Sequence, residues 1–167
     1  GSDKDNKLNL KEIYIQNNFY YIEKQHGGMM DTLIHGFKLI KAKNYVIISS
    51  DMPVHINNFI KMQKYLNKFD IIQGSRFKKE KYSEKKIIKR TLDRVLLTII
   101  LSKLNKLLYN HEVKDTQIDF KIINAKIIQN VIPDLRLKHD GMKMTEIIIR
   151  SYAYGYNILE METEYLD

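Results

Sequence analysis

The 167-residue chain contains no cysteine, which excludes a disulfide framework and any thiolate-bound metal site. It has two prolines and seven glycines against 44% hydrophobic residues, so collagen-like and disordered classes are excluded as well. No apolar run approaches the ~20 residues needed to cross a bilayer. The five histidines (His26, His35, His55, His111 and His139) are scattered, without the spacing of a zinc site. The opening Gly1-Ser2-Asp3-Lys4-Asp5 lacks the basic-then-apolar order of a secretory signal. These absences lead us to expect one domain over residues 1–167, cytoplasmic, and long enough to bury a real core.

What is present is charge, unevenly placed. The net charge is +8, and the window from Phe77 to Lys106 alone holds ten lysines and arginines against three carboxylates. The basicity therefore belongs to one surface and one kind of partner. Within residues 85–109, Ile88, Leu92, Val95, Leu96, Ile99, Ile100, Leu104, Leu107 and Leu108 recur at three- and four-residue steps. That spacing predicts an amphipathic helix, or a pair of helices, apolar on one side and basic on the other. Two readings compete: the apolar face packs on the domain, or the stretch lies on an anionic membrane surface. No aromatic residue interleaves the basic ones between Lys85 and Lys106. This counts against a single-strand platform, and no nucleic-acid partner is expected.

Around this stretch the pattern is α/β. Tyr45-Val46-Ile47-Ile48 is uncharged and β-branched, and reads as a strand buried on both faces. Leu33, Ile34, Phe37 and Ile40 fall at helical spacing before it, and Ile56, Phe59, Ile60, Met62 and Leu66 after it. Phe19 to Ile22, Asp70 to Ile72 and Ile118 to Ile123 read as further strands. Ala125 to Ile132 is a helix ended by Pro133, and Met144 to Tyr154 one stopped by Gly155. Tyr156 to Glu164 closes the chain as a strand, and Leu8 to Ile15 shows a weak helical pattern. The alternation implies a mainly parallel, Rossmann-like sheet flanked by helices.

In such sheets ligands sit outside the carboxyl ends of the strands. Asp51 is the first ionisable group past the Tyr45 strand. A carboxylate there can hold a divalent cation and through it a diphosphate, or it can simply cap the next helix. Gly27-Gly28 before a helix suits a phosphate at the helix N-terminus, or a plain turn. Gly74-Ser75-Arg76 offers a hydroxyl and a guanidinium fork for phosphate, with a surface arginine as the alternative. Lys114-Asp115-Thr116-Gln117 puts a carboxylate before a strand, where a turn cap is the alternative.

Taken in order, Gly27-Gly28, Gly36-Phe37-Lys38-Leu39, Ser49-Ser50-Asp51, Gly74-Ser75-Arg76-Phe77, Lys114-Asp115-Thr116-Gln117, Phe120-Lys121, Asp140-Gly141 and Gly155-Tyr156 resemble the motifs of the family 2 glycosyltransferases of the GT-A fold. The likeness is greatest to the dolichyl or polyprenyl phosphate sugar synthases. The resemblance implies an inverting transfer from a nucleotide-diphosphate sugar to a lipid phosphate or related acceptor, at a membrane surface met through residues 85–109. It implies catalytic roles for Asp51 and Asp115, with Asp51 holding Mg²⁺ or Mn²⁺ on the diphosphate. Gly27, Gly28, Ser49, Ser75, Arg76, Gln117 and Glu146 would line the substrate and phosphate sites. Ser49 stands where that family has the first Asp of Asp-x-Asp, and Met29 where it has a lysine. Its first βα unit, which holds the nucleotide base, is expected to lie outside this sequence. These departures support a second reading, a truncated or catalytically impaired relative that acts as a binding or partner subunit.

Overall fold

The computed structural model describes residues 27–49, 54–75, 100, 103, 113–136 and 140–163. The helix expected at Leu8 to Ile15 and the strand at Phe19 to Ile22 lie outside these residues. So does the basic stretch, apart from Ile100 and Lys103, both helical and exposed. The chain divides into two compact units, Gly1–Lys41 and Ala42–Asp167.

In the first unit, helix α1 (Met29–Leu39) follows the expected spacing, with Met30 and Phe37 buried. Gly28 is its N-cap at φ 92°, a left-handed conformation that costs glycine little. The Gly28 carbonyl receives both the Thr32 N–H, at 3.2 Å, and the Thr32 hydroxyl, at 2.9 Å. Asp31 in the first turn and Lys38 in the last complement the helix dipole.

The second unit is built on a four-stranded mixed sheet. Its strands are β1 (Asn44–Ile47), β2 (Ile71–Ser75), β3 (Lys121–Asn124) and β4 (Ile158–Glu162), in the order β1-β3-β2-β4. Helix α2 (Ile56–Gln63) links β1 to β2, and α3 (Ala125–Asn130) and α4 (Asp140–Ala153) lie between β3 and β4 in the chain. The α/β class expected from the sequence is the one that forms. β1, β2 and β4 share a direction, while β3 runs against them, inserted between β1 and β2. Alternation of strands and helices says nothing about that reversal, because residues 76–120 make a connection long enough for either direction.

Side chains alternate across this sheet with period two. On one face Ile72 and Ile122 join Val54, Met62, Ile118 and Phe120 in a buried cluster, flanked by Phe59, Leu66, Phe69, Leu159 and Met161. On the other, Ile71 and Ile123 pair across the strands and are fully buried, each stabilising by roughly 1.5–3 kcal/mol. β1 departs from expectation: Val46 is 45% exposed rather than buried. The reason is position, since β1 is the outermost described strand and the cluster is centred on β2 and β3.

The helix ends follow simple chemistry. The His55 Nδ1 caps α2 by accepting the Asn57 N–H at 3.2 Å. The Asn124 side chain caps α3 by accepting from the Lys126 N–H at 3.0 Å. Pro133 opens a short 3-10 turn, Ile132–Asp134, beyond α3. α4 ends where Gly155 adopts φ 78°. There the Tyr156 N–H reaches the Ser151 carbonyl and the Gly155 N–H the Tyr152 carbonyl, both at 3.0 Å, the paired bonds of a Schellman motif.

Gly74 is the tightest point of the sheet. A Cβ there would lie 2.8 Å from Ile118 Cδ1, 2.8 Å from Thr163 Cγ2 and 3.0 Å from Thr163 Oγ1. Gly74→Ala should therefore cost about 1–3 kcal/mol through overpacking, read as a lower urea midpoint with an unchanged slope. A variant as stable as the wild type would show that the Ile118 and Thr163 side chains yield.

Candidate functional site

One row of the sheet breaks the apolar pattern. Lys121 on β3 stands opposite Ile47 on one side and Gln73 on the other, and Gln73 stands opposite Glu160 on β4. Register places all four on one face, so the row reads apolar, cationic, amide, anionic. Lys121 and Gln73 are fully buried, and a buried ammonium must be met by acceptors. The Lys121 Nζ donates to Gln73 Oε1 at 3.1 Å and to the Ile118 carbonyl. With its oxygen so engaged, Gln73 turns its NH₂ the other way, donating to the Asp115 carbonyl at 2.8 Å and to Glu160 Oε1 at 3.4 Å.

The Glu160 carboxylate then collects two successive backbone donors. The Lys114 N–H lies 3.1 Å from both oxygens, and the Asp115 N–H lies 2.7 Å from Oε1. The next residue is held by α4, through a 3.0 Å bond between the Thr116 and Thr145 hydroxyls. The segment Lys114–Asp115–Thr116 is thus fastened to β2, β4 and α4 at once. It lies beside the middle of β2 and β4 and the start of β3, at the row formed by Lys121, Gln73 and Glu160.

The residues singled out in the sequence distribute as follows. Asp115 is buried, with 1% exposure, in the fastened segment. Ser75, the last residue of β2, is buried, and its carbonyl accepts the Thr163 N–H and hydroxyl, each at 3.3 Å. Ser49 lies two residues past β1 and is half-buried. The sheet therefore brings Ser49 and Ser75 to one end, while Asp115 is fastened to the middle residues of β2 and β4. Gln117 is exposed, its amide reaching the Met142 sulfur at 3.9 Å. Glu146 is buried but occupied: it accepts the Arg136 N–H at 2.9 and 3.1 Å and pairs with Arg150 at 2.7 Å. Gly27 and Gly28 belong to the first unit. Asp51 and Arg76 lie outside the described residues.

Gln73, Lys121 and Glu160 were not among the expected site residues. Their signal is a polar side chain at a strand position where period two calls for an apolar one. Lys114, in the same segment, is exposed. Among the described residues no group of three histidines or carboxylates could hold a metal ion, so these residues by themselves do not supply the expected Mg²⁺ or Mn²⁺ site. Nor, among them, is any helix long and apolar enough to cross a membrane.

Two titrating groups on the α4 side are perturbed. The Arg150 guanidinium is held above its ordinary range by its hydrogen bond to Glu146. The Tyr154 phenol is pushed up by donating to Asp134, and Arg150 partly opposes this. A raised phenol contributes stability in full below about pH 10, and that contribution is lost as pH rises through the folded value.

No protein-family model matches the chain, and no curated protein matches it. Among solved structures it is similar to the bifunctional IspDF from Campylobacter jejuni, with a TM-score of 0.50 and 14% identity, over 93% of this chain and 36% of that one. The chain thus spans about a third of the length of that protein. A likeness at this identity shows the fold. These findings overturn the assignment to the family 2 glycosyltransferases drawn from the motifs. The pieces that suggested it are two to four residues long, and where described they fall mostly in turns and at the ends of strands and helices. An α/β sheet places glycine, serine and aspartate at such positions for reasons of turn and cap chemistry alone.

Coupling across the polar row is measurable. Gln73→Leu removes an acceptor from a buried ammonium and should cost about 3 kcal/mol. Lys121→Met strands the Gln73 oxygen and should cost about 1–3 kcal/mol. The double variant should lose less than the sum, with an interaction energy of about 1–3 kcal/mol in urea unfolding. Strict additivity would show that the two side chains do not act as a unit.

Proposed function

We propose that the chain is the nucleotide-handling core of a transferase, taking the phosphate-bearing part of a nucleotide substrate at the carboxyl ends of β1, β2 and β4. The observation that carries this reading is the Lys114–Asp115–Thr116 segment, fastened to Gln73, Glu160 and Thr145 beside strands whose carboxyl ends lead to Ser49 and Ser75. Open α/β sheets bind their ligands there. The fold shared with the IspDF structure, which is of nucleotidyltransferase type, supports the same class of substrate.

In this reading the chain's own groups bind and orient. Exposed Lys114 supplies a mobile positive charge for phosphate, and Asp115 supplies a buried carboxylate beside it. Asp51 and Arg76 follow β1 and β2 in the sequence and would extend the site, Asp51 as the carboxylate for a divalent cation. The described residues do not by themselves complete a cation site.

The finer reading is glycosyl transfer from a nucleotide-diphosphate sugar to a polyprenyl phosphate or related acceptor. The basic stretch at residues 85–109 would meet an anionic membrane there. The fold likeness favours a second reading, nucleotidyl transfer from a nucleoside triphosphate. A non-catalytic binding subunit would keep affinity without turnover.

Calorimetric titration with UDP, GDP and CTP, each with and without Mn²⁺, should detect nucleotide binding. Lys114→Ala should weaken it about tenfold, and Asp51→Asn should abolish any part that needs the cation. Preference for CTP supports nucleotidyl transfer, and preference for the diphosphates supports glycosyl transfer. No binding heat under any condition overturns the proposal. Sedimentation with anionic vesicles should fall with salt and in the triple change Lys85→Glu, Lys86→Glu, Lys89→Glu. Equal sedimentation with neutral vesicles would remove the membrane role.

A further inference from the structure

We propose that Glu160 is a positioning residue for the phosphate-binding segment, using its negative charge to hold the backbone of Lys114 and Asp115 so that the exposed Lys114 side chain is presented to the substrate. The role rests on the nucleotide-site reading above. Two consecutive backbone N–H groups converging on one anion form a nest, and here the anion belongs to the protein: Glu160 receives the Lys114 N–H at 3.1 Å and the Asp115 N–H at 2.7 Å. The carbonyl side of Asp115 is held as well, by the Gln73 amide at 2.8 Å. With both its N–H and its C=O engaged, the Asp115 backbone has little freedom to rotate, and its side chain leaves in a fixed direction. The Thr116–Thr145 bond fixes the next peptide in turn.

The identity of the anchor follows from donor counting. Glu160 Oε1 faces three donors, from Lys114, Asp115 and Gln73, and Oε2 faces the Lys114 N–H again. A carboxylate accepts at both oxygens. A carboxamide would either turn an NH₂ against an N–H or release one of the two amides. Charge-assisted bonds to backbone N–H groups are also the stronger kind. In this role Glu160 acts on the substrate through Lys114–Asp115.

The test compares the wild-type chain with Glu160→Gln and Glu160→Asp. The readouts are backbone amide proton shifts and hydrogen exchange at Lys114 and Asp115, and titration with UDP, GDP and CTP in the presence of Mn²⁺. In Glu160→Gln the Asp115 amide proton should move upfield and exchange about tenfold faster, and the nucleotide Kd should rise about tenfold. Glu160→Asp keeps the charge and should recover part of both effects; it also serves as the deciding variant should Glu160→Gln not fold. Release of the Asp115 amide with an unchanged Kd overturns the positioning role and leaves the site reading intact. A raised Kd with the amide unmoved overturns it too, because Glu160 would then touch the nucleotide itself. Failure of the wild-type chain to bind any of the three nucleotides overturns the site reading, and with it the role given to Glu160.

Discussion

A positive charge buried inside a β-sheet is the constraint on which the second unit depends. Lys121 has no exposed surface, so its ammonium must find its partners within the protein. It finds the Gln73 amide oxygen, which is available only where β2 lies beside β3 in the observed register. A slip of one residue would turn Gln73 to the opposite face and leave the ammonium without that acceptor. The apolar rows on either side tolerate neighbouring registers far better, because methyl groups do not discriminate between partners. The polar row is costly to bury and selective in how it can be buried.

The same row carries the charge outward in stages. Lys121 orients Gln73, Gln73 orients the Asp115 carbonyl and leans on Glu160, and Glu160 gathers two amides. A cation in the sheet and an anion at its margin are joined by an amide that can donate and accept at once. The segment between them is fastened from both sides, its Asp115 carbonyl by Gln73 and its amides by Glu160.

Much of this frame could be read from residue patterns. The four described strands and the four helices stand close to where periodicity, Pro133 and Gly155 put them, because each of those signals acts over one or two turns. Ser75 and Asp115 were recognisable as strand-end groups for the same reason. Three features were not legible. The reversal of β3 depends on how a long connection crosses the sheet, which no local pattern encodes. The exposure of Val46 depends on which strand is outermost, a property of the whole sheet. The roles of Gln73, Lys121 and Glu160 depend on register between strands far apart in the chain. Short motifs were misleading at the level of family, since turn and cap chemistry produces the same few residues at the ends of many unrelated strands.

The spacing of the groups that meet at the strand ends bears on how this protein must fold. Gln73 reaches Asp115 across 42 residues and Glu160 across 87, and Thr163 reaches Ser75 across 88. Doubling a loop costs only ~0.6 kcal/mol of closure entropy, so these separations take little from the final stability. They weigh instead on the rate, because non-local pairings slow folding. The segment that holds Asp115 has no lasting anchor until β4, near the end of the described chain, docks beside β2. During synthesis a ribosome would therefore release most of this unit before its strand-end groups could come together. Any nick that separates β4 from β2 would release the amides held by Glu160 and strip Leu159 and Met161 from the α2-side cluster.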